Sequence, residues 1–155
     1  MGIRIHIKLG DVFQIPLPDR RWAVCQYVFR SQELGFLVRV FDLLTFEPVS
    51  SLEVLKERKN LFPPVFVGLQ ASARSGRWQR IGNFGIGFFE HPEFRQTMGT
   101  KPGVYDDWRV WDGFHTRKIG KLPEELRSLE LKCIWGDEAL EQRIAEGTYR
   151  GDKML

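Results

Sequence analysis

The first half of the chain carries the two-residue hydrophobic period of β-strands. Isoleucine occupies every second position of residues 3–7 and polar side chains stand between, a pattern typical of a strand with one buried face. Residues 12–15, 22–29 and 36–41 are rich in β-branched and aromatic side chains, and turn-forming residues separate them. These segments predict a meander of antiparallel strands.

A capping signal interrupts the strands in the middle of the chain. Ser50 followed by Glu53 is the capping-box pattern, which predicts a short helix over residues 52–59 with Ser50 as its N-cap. A pair of prolines ends that segment, and residues 65–69 and 78–82 predict a return to strands.

The second half of the chain begins with a loop and a hairpin. Glycine and proline recur through residues 83–103 and predict a long loop. The dipeptide Asp112-Gly113 predicts a tight turn between strands at residues 105–111 and 114–119, because glycine accepts a positive φ without a Cβ clash.

Two helices are predicted near the C-terminus. Leucines at helical spacing, with Pro123 in the first turn, predict a helix over residues 122–129. Asp137 is predicted to cap a second helix that ends at Gly147. The polar residues 148–155 predict a frayed tail.

Strands gathered early and helices gathered late predict an α+β fold. We expect a bent, mainly antiparallel sheet or a partly open β-barrel, with one short middle helix and two C-terminal helices. A chain of 155 residues with 43% hydrophobic residues can bury one core. Because no linker or repeat divides it, we predict a single domain at residues 1–147.

The charge balance argues against nucleic acid as the partner. The chain has 23 basic and 20 acidic side chains, and acidic residues interrupt or follow its basic stretches, which favours solvated faces over a phosphate-binding stripe. One alternative stays open, a nucleic-acid binding module in which arginines contact phosphates and an indole stacks on a base. Its residues would be Arg74, Arg77, Arg80 and Trp78.

Cysteine usage and hydropathy predict a cytoplasmic protein without a membrane span. The two cysteines, Cys25 and Cys133, lie far apart in sequence, which favours two buried thiols in a reducing compartment and leaves one long-range disulfide open. The chain lacks the apolar run of a signal peptide and the longer run of a membrane helix.

Residues that could carry catalysis do not form a recognisable motif. His6, His91 and His115 stand outside any nucleophile-base pattern, and the aspartates near residue 112 lack the alternating spacing of a calcium loop. We therefore predict no catalytic residue, no cofactor and no metal. An enzyme built on Cys25 or on His115 remains the alternative.

Aromatic residues beside charges are the stronger signal. Tryptophan and arginine dominate the energetics of protein–protein interfaces, although burial in a core also accounts for tryptophans in strands. The predicted partner-binding residues are Asp106, Asp107, Trp108, Arg109, Trp111 and Asp112.

The chain resembles the bacterial immunity protein 26 family. Residues 8–17, with 22–28 after them, are similar to the opening of that family, and residues 35–42 resemble its next strand. Residues 75–82 resemble its Trp-x-x-Ile-Gly segment, and the closing stretch 111–144 is also similar.

The resemblance implies an immunity-protein-like domain made beside a polymorphic toxin, which protects the producing cell by binding that toxin. It implies no catalytic residue and no cofactor. The net charge of +3 departs from the acidic immunity proteins that block nucleases. Either the toxin is not a nuclease, or the binding face is locally acidic, for example around Asp106, Asp107 and Asp112.

Overall fold

The computed structural model describes residues 5–97 and 105–148. The chain divides into two compact units, Met1–Phe89 with Ile134–Gly147 and Glu90–Cys133 with Thr148–Leu155. We call them the first and the second unit. The predicted tail lies outside the described residues except for Thr148, and the prediction of a single domain over residues 1–147 stays a prediction.

The described residues form an α+β fold made mostly of strands, which confirms the predicted class. The strands are β1 Asp11–Pro16, β2 Trp22–Ser31, β3 Gly35–Val40, β4 Val65–Val67, β5 Gln79–Asn83, β6 Phe94–Thr97, β7 Trp108–Trp111, β8 Thr116–Gly120, β9 Glu130–Leu131 and β10 Ile134–Trp135. The helices are α1 Leu69–Arg74 and α2 Asp137–Glu146, and 3-10 turns span Leu52–Leu55 and Glu124–Leu126.

The first unit contains a six-stranded open sheet with the order β10-β4-β3-β2-β1-β5. Its neighbours are antiparallel except for the parallel pair β10 and β4. The long strand β2 pairs with β1 on one side and β3 on the other, and register shifts at Phe13 and at Tyr27 bend the ladder. The sheet is therefore mixed and does not close into a barrel.

Both faces of this sheet are covered. Alternate residues of β1 point to opposite faces, so Phe13 lies in one buried cluster and Val12 in another. Leu140 and Ile144 of α2 pack in the Phe13 cluster, whereas Leu55 from the first 3-10 turn packs with Val12. Burying each such aliphatic side chain stabilises the unit by about 1.5–3 kcal/mol.

The middle helix is shorter than predicted. Leu52–Leu55 is one 3-10 turn, and its N-cap is Ser51, not the predicted Ser50, because the Ser51 hydroxyl accepts the Glu53 N–H at 3.3 Å. The predicted strand 65–69 ends at Val67, and the chain then enters α1, which the sequence pattern did not predict.

The prediction of two C-terminal helices is wrong. Residues 122–129 form only the 3-10 turn Glu124–Leu126, which has no buried residue, and β9 follows directly. Leu122 is buried but Leu126 and Leu129 are only half-buried, and this partial burial does not offset the cost of helix nucleation. The second predicted helix exists as α2, and Gly147 ends it in the left-handed conformation as predicted, but its N-cap is Gly136 and not Asp137.

The second unit contains a four-stranded sheet with the order β8-β7-β6-β9. The pair β7 and β8 is the predicted hairpin, and Gly113 at its turn has φ +101°. β6 pairs with β7 antiparallel and with β9 parallel. The predicted loop 83–103 is interrupted by β6, and its last residues, 98–103, lie outside the described residues.

Candidate partner-binding surfaces

The two tryptophans of the predicted partner-binding set form part of the core of the second unit. Trp108 is 0% exposed and Trp111 is 3% exposed. The Arg95 guanidinium lies 5.1 Å from the Trp108 ring, and the Lys132 ammonium lies 4.5 Å from the Trp111 ring. In this conformation neither indole can reach a partner, so the rings support the surface from beneath.

The polar members of the predicted set stay accessible. Asp106 is exposed, and Asp107 and Arg109 are half-buried with a separation of 4.0 Å between their charged groups. They occupy the start of β7 and the residues before it. Their contact with a partner stays a prediction.

Asp112 fixes the turn of the β7–β8 hairpin. Its Oδ1 accepts the His115 N–H at 2.7 Å and the Phe114 N–H at 2.9 Å. These two hydrogen bonds, that of His115 first, hold the pKa of Asp112 below its ordinary value of 3.8. The Asp112 carboxylate therefore caps the turn. About half of the Asp112 side chain stays exposed to solvent.

Phe114 is the exposed aromatic residue of this hairpin, and the sequence did not single it out. It lies directly after the turn glycine, and 72% of it is exposed. The neighbouring His115 side chain is 89% exposed. The position of Phe114 beside the predicted turn could have indicated its exposure, because a hairpin tip has no neighbouring strand to bury an apolar side chain.

Internal contacts hold three members of the proposed nucleic-acid patch, whereas its fourth, Arg74, is exposed. Trp78 is 1% exposed and its indole N–H donates to Glu141 at 2.8 Å. Arg77 donates to the same carboxylate at 2.8 and 2.6 Å, and this bidentate pair raises the pKa of Arg77. Base stacking on Trp78 is therefore ruled out in this conformation, which removes the central contact of that alternative.

A groove beside this carboxylate is acidic. It has a volume of about 540 Å³ and lies in the first unit between the turn after β1 and helix α2. Glu138 and Glu146 line it and are exposed, while the charge of Glu141 is neutralised by Arg77. The groove is open to small cations and basic side chains, but its described residues show no further ligand chemistry.

Asp11 holds together the opening segment of the chain. It is 2% exposed, and it accepts the Lys8 N–H at 2.8 Å, the Asn83 amide at 2.9 Å and Arg80 at 3.2 Å. Gly10 precedes it with φ +89°, and a Cβ there would lie 2.5 Å from the Phe84 carbonyl oxygen. The fold itself therefore requires the Gly-Asp pair.

A scan against protein families finds the model of immunity protein 26 over residues 8–88. This span is more than half of the chain. The chain belongs to the immunity protein 26 family. The resemblance seen in the sequence is thereby confirmed over its first segments. No significant match is found among curated proteins or among solved structures.

The immunity protein 26 match covers β1 to β5 and α1, which all belong to the first unit. It includes the Asp11 hydrogen bonds and Trp78 but stops before the second unit. The β7–β8 hairpin with the predicted partner-binding residues therefore lies outside the matched span.

The groups proposed for catalysis are poorly placed for it. Cys25 is completely buried, and the burial raises the pKa of its thiol. His115 lies on the surface, where its side chain is 89% exposed and its Nδ1 lies 4.0 Å from the Asp112 carboxylate. Neither cysteine forms a disulfide, and Cys133 is partly exposed, contrary to the prediction that both thiols are buried.

The described residues contain neither a candidate metal site nor a candidate membrane helix. Residues 5–97 and 105–148 contain no group of three His, Cys, Asp or Glu side chains arranged to hold a metal ion. Over the same ranges no helix has the length and apolar character needed to cross a membrane.

Proposed function

We propose that this chain is an immunity protein that binds and neutralises the cognate toxin of a bacterial polymorphic toxin system, in the cytoplasm and without catalysis. The observation that carries the proposal is the membership of the immunity protein 26 family. A protein that acts by stoichiometric binding needs a stable scaffold and an exposed recognition surface, and no reactive group.

The contacts in the first unit support a scaffold role for that part of the chain. Cys25, the thiol of the enzyme alternative, is buried, and Arg77 and Trp78 of the nucleic-acid alternative are bound within the fold. Buried polar networks of this kind hold one conformation when every member is satisfied. A preorganised scaffold reduces the conformational entropy that is lost on binding.

We place the toxin interface on the second unit, at Asp106, Asp107, Arg109 and Asp112, with Phe114 as the aromatic anchor in place of the buried tryptophans. Specificity for one toxin requires residues that a whole family does not share, and this surface lies outside the span of the family match. A tight complex would bury about 1,200–2,000 Å² around such an anchor.

The test is co-expression with the toxin domain encoded beside this protein. The wild-type chain should restore growth, and the purified proteins should form a complex by size-exclusion chromatography and calorimetry. A chain with Asp106→Lys and Asp107→Lys should bind at least about tenfold more weakly, because charge complementarity is lost. Glu57→Lys reverses one charge at an exposed residue of the first unit; it is the control and should bind normally.

A chain that neither binds the neighbouring toxin nor restores growth would contradict the immunity function. Normal binding by the double aspartate variant would contradict only the placement of the interface.

A further inference from the structure

Strand β8 is an open edge of the sheet in the second unit. Among the described residues, β8 is hydrogen-bonded to β7 alone, and it ends a sheet whose other edge is the two-residue strand β9. Edge strands present a row of unpaired N–H and C=O groups that can pair with another strand. At five residues, β8 is long enough for such a row.

The outward groups of β8 follow from its register. The Asp112 N–H donates to the His115 carbonyl at 3.1 Å, so His115 faces β7. Along an antiparallel pair, the backbone N–H and C=O of successive residues point alternately toward the neighbouring strand and away from it. Arg117 therefore faces Val110 across the ladder, and the backbone N–H and C=O of Thr116 and Lys118 point away from β7.

The outward-facing N–H and C=O groups of β8 are regularly spaced over the residues with which an added strand would pair. The register shift between β7 and β8 leaves Ile119 as the extra residue, after Lys118. The other five-residue edge, β5, has its extra residue Ile81 in the middle of its pairing with β1. A bulge in the middle of an edge blocks continuous pairing, so β8 is the better template of the two.

The positive charge along β8 determines which kind of strand can pair with it. Residues 116–118 are all exposed, and Lys118 and Lys121 contribute positive charge. Arg117 adds a third, partly offset by Glu93 at 2.7 Å. Two copies of β8 side by side would set like charges against each other, which is destabilising. An acidic strand would instead be attracted.

We propose that β8 binds an extended, acidic segment of the partner as an added strand, with Phe114 as the adjacent apolar anchor. Main-chain hydrogen bonds from Thr116 and Lys118 would give the affinity, and the basic side chains would give the preference for acidic sequences. The proposal rests on the proposed function for the identity of the partner as a toxin.

The first test uses a defined probe on the whole protein, a short peptide that alternates glutamate with valine. Saturating peptide should slow amide hydrogen exchange at Thr116 and Lys118 by about five- to tenfold, because both groups gain a hydrogen bond. The same peptide with N-methylated amides, and its lysine-for-glutamate counterpart, should give no protection. Protection by all three peptides, or by none, would overturn the proposal.

Two variants at one position separate backbone from charge. Lys118→Pro removes an outward N–H and leaves the β7 ladder intact, since proline is tolerated on an edge strand when its nitrogen faces solvent. It should abolish peptide binding, whereas Lys118→Glu, which keeps the N–H, should weaken binding about fivefold and favour the lysine peptide. Unchanged binding by both variants would overturn the proposal, and so would stronger, competing binding of single-stranded oligothymidine.

Growth rescue separates this inference from the proposed function. If wild type restores growth and Lys118→Pro does not, strand addition is supported. If both restore growth equally, strand addition is overturned and the immunity function stands. If wild type itself fails while the peptide still protects Thr116 and Lys118, the edge chemistry stands and the identity of the partner as that toxin is refuted.

Discussion

The buried carboxylate of Glu141 gives the sharpest test of the scaffold. It is 4% exposed, and it accepts three hydrogen bonds, two from Arg77 and one from the Trp78 indole. Glu141→Ala leaves the indole N–H buried without an acceptor, since Trp78 is 1% exposed. That loss alone costs about 1–3 kcal/mol.

The ion pair between Arg77 and Glu141 contributes less to the free energy of unfolding than its short distances suggest. The Arg77 side chain is 39% exposed, so water can solvate the guanidinium when the carboxylate is gone, and this part is worth at most about 1 kcal/mol. The expected loss in the free energy of unfolding is therefore about 1–4 kcal/mol. For a chain of this size that loss lowers Tm by about 2–16 °C.

The assay is urea denaturation followed by tryptophan fluorescence and circular dichroism, with Tm from a thermal scan. Glu141→Gln keeps an acceptor for Trp78 and should recover about half of the loss. Gln142→Ala, an exposed position on the same helix, should change stability by less than about 0.5 kcal/mol. A Glu141→Ala variant within about 1 kcal/mol of wild type would refute this reasoning.

Three further predictions follow from single residues. Gly10→Ala should lose at least about 2 kcal/mol more stability than Gly35→Ala, because both have a positive φ but only Gly10 would place its Cβ against a backbone oxygen, at 2.5 Å; urea denaturation measures the difference. Cys25, buried and with a raised pKa, should stay unmodified by a thiol reagent at pH 8 until the protein unfolds, as read by mass spectrometry. Asp112, with a pKa lowered first by the His115 N–H, should titrate below 3.8 by NMR, so its stabilisation of the hairpin is present above the unfolded pKa and is lost as pH falls through the folded value.

Each of these has a contradicting result. Equal losses in the two glycine variants would show that the backbone contact at Gly10 relaxes freely. Modification of native Cys25 would place that thiol at the surface. If the pKa of Asp112 lies at or above its ordinary value, the two hydrogen bonds to its carboxylate do not form in solution.

The strands of the first half were predictable because their signal is local. The β-branched and aromatic runs of β1 and β2 reflect the burial of a pleated strand. The Asp112-Gly113 turn was likewise predictable, since it depends on the conformational freedom of one glycine. For these elements the tertiary structure agrees with the local preference. The isoleucine alternation of residues 3–7 predicted a further strand, and this prediction is wrong for the described residues 5–7, which form no strand.

The helices show where local pattern fails. The leucines of residues 122–129 have helical spacing, but only Leu122 among them is buried, and the segment forms only a short turn. The converse holds for α1, which has six residues and no side-chain cap, so the pattern carried no helix signal. Packing of Leu69 and Ala73 in the core stabilises it instead.

The candidate site was predicted in part. The charged residues of the hairpin are accessible, but the exposure of Trp108 and Trp111 was a property that sequence could not settle, because strand tryptophans occur both in cores and at interfaces. The partner of Trp78, Glu141, lies 63 residues further along the chain. No local motif links two such positions.

The most direct test of the central claim is growth of cells that express the neighbouring toxin domain, with and without this protein. Immunity predicts that wild type restores growth and forms a stoichiometric complex with the purified toxin domain. Growth arrest in the presence of abundant, folded protein, with no complex detected, would contradict it.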